Sequence, residues 1–286
     1  MNHEKLPISV QICTLNEEGN IQACLEKVLV NNPREIIVID GGSNDKTVEI
    51  ASSLGARVIN AGRIGLAKQR QLGIESTSLP YIALVDADDR IEPDCFPVLF
   101  RQMQAGGFKA IQANVQSHSN TTYWQKGWGL FCAININNPG KTTMVGRPAL
   151  FDRDAIVSIG FDPFFTYGSE DTDISYRFEK SRLPQGIGTG VSYRIHPVTF
   201  EECRRKWISY GRGYARFAHK HPERRANIVR HLRWNIPFKR NWNSIKQGYA
   251  KYMPFYLLYG FYCYSGFRKE ERALRQGVAK DDFGRK

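Results

Sequence analysis

No charge-free run in this 286-residue chain reaches the length of a membrane span. The longest candidate, Tyr252 to Phe267, is sixteen residues and is interrupted by Pro254 and Gly260, whereas a spanning helix needs about 20 apolar residues. Residues 1–7 carry His3, Glu4 and Lys5 and no apolar core, so no secretory signal is visible. The six cysteines (Cys13, Cys24, Cys95, Cys132, Cys203, Cys263) lack metal-ligand spacing and sit mostly among apolar neighbours. They read as reduced, buried thiols of a cytosolic protein, not a disulfide scaffold. There is no internal repeat and no low-complexity segment. A hydrophobic content of 42% with 25 glycines excludes disorder and suits an α/β protein.

Acid is scarce at one end. Residues 1–190 hold 18 Lys and Arg against 21 Asp and Glu, while residues 191–286 hold 22 against 7. A near-neutral body is followed by a strongly basic tail. In the body, strand and helix patterns alternate. Ile8–Ile12 alternates as a strand, Ile21 to Leu29 repeats at helical spacing, and Ile36–Ile39 is a continuous β-branched run of the kind covered on both faces. A helix over 47–54, a short strand at 57–59, a helix over 66–74 and a strand at 81–85 follow. This alternation predicts a Rossmann-like, doubly wound, mostly parallel sheet. Ala110–Val115 and Arg147–Phe151 read as further strands, and Tyr123 to Asn138 as a loop or short helix.

Three strand ends carry acids: Thr14-Leu15-Asn16-Glu17-Glu18, Asp40-Gly41-Gly42-Ser43-Asn44-Asp45 and Asp86-Ala87-Asp88-Asp89. Parallel sheets bind ligands outside the carboxyl ends of their strands, so the three converge on one place. Crowded carboxylates repel unless a cation joins them. Hard divalent ions such as Mg²⁺ or Mn²⁺ take oxygen ligands and bridge carboxylates to phosphates. A metal-assisted enzyme acting on a phosphorylated substrate is therefore expected. Against this stand blander readings: an acidic solvated turn at 86–89, a turn or N-cap role for Asp40, and a first-turn helix acid for Asp171.

The order Thr14-x-Asn16-Glu17, Ile39-Asp40-Gly41-Gly42-Ser43-x-Asp45-x-Thr47 and Asp86-x-Asp88 resembles the family 2 glycosyltransferases of the GT-A fold. Gly65-Leu66-Ala67-Lys68-Gln69-Arg70-Gln71-x-Gly73 is similar to a helix of that family, with Gln71 where Asn is usual. Gly160-Phe161-Asp162 and Gly168-Ser169-Glu170-Asp171-Thr172-Asp173 resemble its downstream motifs. The likeness covers about residues 6–200. It implies an inverting enzyme using a nucleotide-sugar donor, UDP-sugar by expectation. Thr14, Asn16, Glu17, Asp40, Gly42, Arg70, Asp86, Ala87 and Glu170 would hold that donor. Asp88 would ligate Mn²⁺ or Mg²⁺, joined by His196, and Asp171 would be the catalytic base. A structural histidine is the competing reading of His196.

Residues 1–200 are thus expected to be the catalytic domain, with a donor half at 6–115 and an acceptor half at 116–200. Residues 201–286 are expected to be a mainly helical extension. There Trp207, Tyr210, Tyr214 and Phe217 mingle with Arg204, Arg205, Lys206, Arg212 and Arg216. With the run 252–267 and its flank Arg268, Lys269, Arg272 and Arg275, the tail reads as a peripheral anchor on an anionic membrane, at the cytoplasmic face. The acceptor would then be a saccharide or lipid-linked sugar of the cell envelope. Two alternatives stay open for the tail: burial against the body or a dimer interface, and nucleic-acid binding, for which no recognised module is present. A nucleotidyltransferase lacks its Gly-rich loop and lysine. A catalytically silent relative would have lost Asp88 or Asp171, and both are intact.

Overall fold

The computed structural model describes residues 5–165 and 168–277; residues 1–4 and 278–286, the outer ends of the N-terminal and tail segments read above, lie outside them. Two layers of helices enclose one sheet. In chain order the first half runs β1 (Leu6–Thr14), α1 (Ile21–Val30), β2 (Pro33–Asp40), α2 (Thr47–Ser53), β3 (Arg57–Asn60), α3 (Leu66–Glu75), β4 (Tyr81–Asp86), β5 (Asp89–Ile91) and α4 (Cys95–Gly106). It continues through β6 (Ala110–Ser117), α5 (Tyr123–Asn135), β7 (Gly140–Thr142), β8 (Ala149–Asp152), α6 (Arg153–Ile159), α7 (Glu170–Lys180) and β9 (Gln185–Arg194). The sheet order is β3-β2-β1-β4-β8-β6-β9-β5, with β7 also on β9. The first four strands of that order are mutually parallel. Beyond them β8 is antiparallel to both β4 and β6, and β5 and β7 are antiparallel to β9. The sheet is the expected α/β type, parallel in its first half and mixed in its second.

Side-chain alternation along the strands assigns the two faces. Ile8, Val10, Ile12, Ala83 and Val85 pack with Ile21, Cys24, Leu25 and Val28 of α1 and with Phe96, Leu99 and Met103 of α4. Ile82, Leu84, Ala149 and Phe151 turn to the opposite face, against Ala67 and Ile74 of α3, Ile156 of α6 and Ile174 and Phe178 of α7. The β-branched run of β2 is buried from Ile36 to Asp40, as a two-faced strand requires.

The stretch expected to be a loop or short helix at 123–138 forms the thirteen-residue α5. Its start is fixed by a capping box: Thr122 accepts from the Gln125 amide while the Gln125 side chain reaches back to the cap backbone. The motif Thr-x-x-Gln is present in the sequence; its Trp and Gly content hid it.

The tail is helical, as expected. It comprises α8 (Phe200–Lys220), α9 (Arg225–Arg230), a π-helical segment His231–Arg240, α10 (Asn241–Lys246) and α11 (Met253–Arg275). The π-helical segment contains Pro237, whose missing N–H cannot serve an α-helical ladder. These helices share a core with α5. Trp128 and Phe131 of α5 pack with Cys203 and Trp207 of α8 and with Phe255, Tyr256, Tyr259 and Phe267 of α11. Trp207 stacks on Tyr259 at 5.6 Å. Most of the aromatic run read as a membrane anchor is therefore interior: the positions 252, 255, 256, 259, 263 and 267 form a helical stripe turned onto α8. Leu257 and Phe261 stay outside, at 38% and 65% exposure. Among the described residues no helix is long and apolar enough to cross a membrane.

Two glycines set the α8–α11 distance. A Cβ on Gly211 would lie 1.9 Å from the Cys263 carbonyl oxygen, and one on Gly266 would lie 2.2 Å from that of Ile208. Beside them Glu270 accepts from Arg216 at 2.8 Å and from Arg212 at 3.0 Å, a charge-assisted clasp in a mostly buried setting. Gly211→Ala should force the helices apart and lower stability by about 1–3 kcal/mol, the range for overpacking. Thermal melting checks this, with the exposed Ser265→Ala as the control that leaves Tm unchanged.

Candidate functional site

Parallel register brings the three acidic strand ends together. Thr14 is aligned with Asp40 across β1–β2, and Cys13 with Asp86 across β1–β4. At the first end Asp40 is buried and its carboxylate is filled by its own turn: it accepts from the amides of Gly42 and Ser43 at 2.9 and 2.8 Å, from the Ser43 hydroxyl at 2.5 Å and from the Thr14 hydroxyl at 3.0 Å. Gly42 supplies the left-handed backbone of this turn, φ +86°. A Cβ on Gly41 would meet the Gln69 side chain of α3 at 2.1 Å, so that glycine lets α3 come close. Asn16, exposed and with φ +56°, accepts from the Asn44 amide at 2.9 Å and ties the β1 loop to the β2 turn. The Glu17 amide donates to Thr47 at 2.8 Å, while its carboxylate accepts from Asn20 at 3.0 Å. The turn reading of Asp40 is thus visible in its hydrogen bonds, at the carboxyl end of β2.

At the β4 end, one ligand oxygen from each of Asp86, Asp88 and Asp89 lies within 4.8 Å of the others. Two of these carboxylates are held by arginines. Asp86 receives Arg70 Nη2 at 3.0 Å, Arg147 Nε at 3.0 Å and Arg194 Nη2 at 3.4 Å. Asp89 receives Arg194 Nε at 2.9 Å and its Nη2 at 3.0 Å. Among the described residues the Asp88 carboxylate takes no hydrogen bond or ion pair. Burial would raise the Asp86 pKa, but Arg147, then Arg70 and Arg194, outweigh it and hold the group well below the usual carboxylate range. Asp89 is fully buried, and burial together with Asp88 and Asp86 pushes it up to about 6 despite Arg194. Three clustered carboxylates, one of them unpaired, are the oxygen-rich donor set that a hard divalent cation takes.

The arginines link this cluster to α7. Arg70, 3% exposed, pairs with Glu170 as well as with Asp86. Arg147 reaches Glu170 at 3.0 Å and Asp171 at 3.7 Å. Glu170 is 1% exposed; burial opposes its charge, yet Arg70 and Arg147 keep its pKa low. Asp171 is 26% exposed, and burial, with Glu170 beside it, raises its pKa against the pull of Arg147. Adjacent carboxylates have been separated in role: Glu170 is a locked anion, and Asp171 is open and more basic. Asp173 turns the other way, accepting from Arg177 at 2.8 Å, Lys220 at 3.0 Å and His221 at 2.7 Å, which anchors the end of α8.

Arg147 and Arg194 were not among the sequence candidates. Strand register explains both. The β4–β8 pairs run from Tyr81↔Asp152 to Leu84↔Ala149, and extending that register by two residues sets Arg147 across from Asp86. In β5–β9, Asp89 is directly paired with Arg194. Cross-strand charge pairs of this kind need the pairing partner, which one chain read linearly does not name.

His196 stands apart from the three-aspartate group. It is 4% exposed and stacked on Trp128 at 5.8 Å, and its Nε2 has no partner among the described residues. Burial, then Lys206 and Arg194, push its pKa down to about 3, so the ring is neutral. Ala87 is buried in the β4 turn, where its carbonyl accepts from Arg90 at 3.0 Å. Gln71, which departs from the expected Asn, accepts from the Phe161 amide at 2.7 Å and so moors the Gly160-Phe161-Asp162 turn to α3.

Residues 9–158 match the model of glycosyl transferase family 2. The chain is 27% identical over 238 residues to the succinoglycan biosynthesis protein ExoA of Rhizobium meliloti, covering 74% of this chain and 70% of that protein. It is 24% identical over 184 residues to the cholesterol galactosyltransferase of Borreliella burgdorferi, covering 62% of this chain and 48% of that one. It spans 33–48% of the length of the first curated relatives it matches. Among solved structures it superposes on the glucosyl-3-phosphoglycerate synthase of Mycobacterium tuberculosis, determined with Mn²⁺, UDP and phosphoglyceric acid. That match has a TM-score of 0.55 at 21% identity and covers 74% and 77% of the two chains, a likeness of fold. More than half of the chain matches the family model, and its three acidic strand ends and the Glu170-Asp171 step occupy one sheet edge; the protein belongs to the family 2 glycosyltransferases.

Proposed function

We propose that this protein is an inverting, metal-dependent glycosyltransferase that moves a sugar from a UDP-sugar or related nucleotide diphosphate donor to a saccharide or lipid-linked acceptor. The observation that carries this is the continuous network from Asp86 through Arg70 and Arg147 to Glu170 and Asp171. It joins a candidate phosphate-metal site to a partly open carboxylate with a raised pKa. The relatives whose names specify sugar transfer or polysaccharide synthesis, and the Mn²⁺–UDP complex of a fold neighbour, point the same way. In this reading residues 1–200 are the catalytic unit. Thr14, Asn16, Glu17, Asp40, Gly42 and Arg70 form the donor's nucleoside end, with Asp86, Ala87 and Glu170 bounding its ribose and diphosphate.

Asp88, with Asp86 and Asp89, would hold Mn²⁺ or Mg²⁺, and His196, whose Nε2 takes no hydrogen bond among the described residues, would complete the set, favouring Mn²⁺. A divalent ion there would stabilise the charge that grows on the departing diphosphate. The protein's own part is positioning. Arg70 and Arg147 fix Glu170 as an anion, and that fixed charge helps keep Asp171 more basic than an ordinary aspartate. Asp171 then accepts the proton of the acceptor hydroxyl as it attacks the anomeric carbon. One displacement inverts that centre, and the nucleotide diphosphate leaves with the bonding pair. The basic helical tail, residues 201–286, would hold the enzyme on the cytoplasmic face of a membrane, where cell-envelope polysaccharide or glycolipid acceptors are assembled.

A thermal-shift panel of UDP-, GDP-, dTDP- and CMP-sugars with and without Mn²⁺ tests the donor, because a ligand bound only by the folded state raises its stability. One nucleotide should raise Tm only with metal; no response from a folded sample to any of them would overturn the reading. Asp88→Ala should abolish the metal-dependent part of that shift, and an unchanged shift removes Asp88 from the metal site. Asp171→Asn should bind the donor normally and lose kcat by a factor of about 100 or more. Near-normal turnover would show that another group takes the proton.

A further inference from the structure

Between Glu223 and Glu270 the chain has no acidic residue, and residues 224–269 contain ten Lys and Arg. The helices of this segment carry two exposed apolar stripes. One is Trp234, Phe238 and Trp242, at 59%, 49% and 57% exposure; the other is Met253, Leu257 and Phe261, at 45%, 38% and 65%. In each stripe the residues are four apart, which places them along one side of a helix. The rings of Trp234 and Phe238 touch, with centroids 5.1 Å apart.

The two helices adjoin. A Cβ on Gly260 would lie 2.9 Å from Pro237, Asn241 Nδ2 reaches the Met253 carbonyl at 3.5 Å, and Arg233 lies over the Tyr264 ring at 5.6 Å. Beyond Phe261 the exposed side of α11 changes character, to Arg268, Lys269 and Arg272. Cation and aromatic are interleaved on the outer surface as well: Lys246 sits over Trp242 at 5.8 Å.

We propose that this pair of stripes, and not the aromatic run inside α11, is where the protein meets an anionic lipid bilayer. Trp234, Phe238, Trp242, Met253, Leu257 and Phe261 would enter the interface, while Arg233, Lys246, Arg268, Lys269 and Arg272 lie among the headgroup phosphates. The inference rests on the membrane association proposed above and gives it residues and a lipid charge. Large apolar side chains left in water with no acid among them are costly as a free surface. Trp and Phe with flanking Lys and Arg are the combination that binds at a membrane interface and not across it. The sign of the charge selects the occupant: an acid-free, ten-cation segment complements phosphatidylglycerol headgroups and repels a second copy of itself.

The test uses the full chain, because removing α11 would strip Phe255, Tyr256 and Tyr259 from the shared core. Flotation with phosphatidylglycerol–phosphatidylethanolamine vesicles is compared with pure phosphatidylcholine vesicles, at low and high salt. The wild type should float with the anionic vesicles about tenfold better than with the neutral ones, and less well in high salt. The triple variant Trp234→Ser, Trp242→Ser, Phe261→Ser should melt normally, because all three side chains are exposed, and lose about tenfold in anionic binding.

Bound protein should also show tryptophan quenching by brominated lipid, reduced in that variant. Anionic binding by the wild type that the variant retains in full would move the contact elsewhere and leave the membrane association standing. No binding by the wild type to either vesicle would overturn both. Concentration-dependent dimerisation lost in the variant, with vesicles ignored, would assign the stripes to a self-interface and overturn the lipid reading. The metal-dependent donor shift is measured on the same samples; its persistence in the variant keeps any loss of vesicle binding separate from the transferase reading.

Discussion

Asp86 is the point on which the site is balanced. A carboxylate at the end of a buried strand, next to two more aspartates, is expensive to keep charged. Three guanidiniums resolve that cost, and each comes from a different part of the fold: Arg70 from α3, Arg147 from the approach to β8, Arg194 from the end of β9. Their other contacts then propagate the constraint. Arg70 and Arg147 fix Glu170 and with it the first turn of α7, while Arg194 holds Asp89 and donates to the Arg147 carbonyl at 3.0 Å. Placing a charged carboxylate at the β4 end thus organises the parallel half of the sheet, the mixed half and the helix that bears Asp171. Removing Arg194 would leave the buried Asp89 without an ion-pair partner, which is more damaging than never having had the pair.

What could be read from the sequence follows from how local each signal is. The parallel strands and their helices were legible because burial on two faces writes itself as β-branched runs, and helical spacing as a stripe. Ile36–Ile39 and Ile21 to Leu29 are examples, and both lie within elements at those positions. The acidic strand ends were legible because Asp-x-Asp after an apolar strand is a compact pattern. Arg147 and Arg194 were not, because their meaning lies in antiparallel pairings with β4 and β5 across about 60 and 105 residues of chain. Asp89 belongs to the acidic strand end but receives no role of its own from the sequence, because a fully buried aspartate looks in sequence like one more exposed turn acid. The expected partner of Asp88, His196, is near Arg194 in sequence yet turns into the aromatic core on Trp128, and only its unused Nε2 keeps it available.

The tail shows the same limit from the other side. Sixteen uncharged residues rich in Tyr and Phe read as an interfacial segment, with a buried stripe as the alternative. The decision came from partners, not from composition: α8 offers Gly211 and Cys203 beside Trp207, and α11 offers Gly266 and Cys263 beside Tyr259. Small residues let the backbones approach so closely that aromatic rings interleave around them, and the stripe turns inward. The π-helical segment with Pro237 then packs on Gly260.

That inward turn has a consequence for the outer surface. A helix with aromatic residues on most sides cannot bury them all against one partner, so fixing one stripe inside fixes another outside. In α11 the inner positions 255, 259, 263 and 267 and the outer positions 253, 257 and 261 are both spaced by four, offset by two residues, which is about half a turn and therefore the opposite side of the helix. The shared core with α5 and α8 is what holds the outer stripe in place. Because α5 also carries Trp128, on which His196 stacks, the helices that present the exposed stripes and His196 are braced by one set of aromatic contacts. Packing in this core, not a flexible tether, therefore links the basic helical region to the sheet edge where the acids meet.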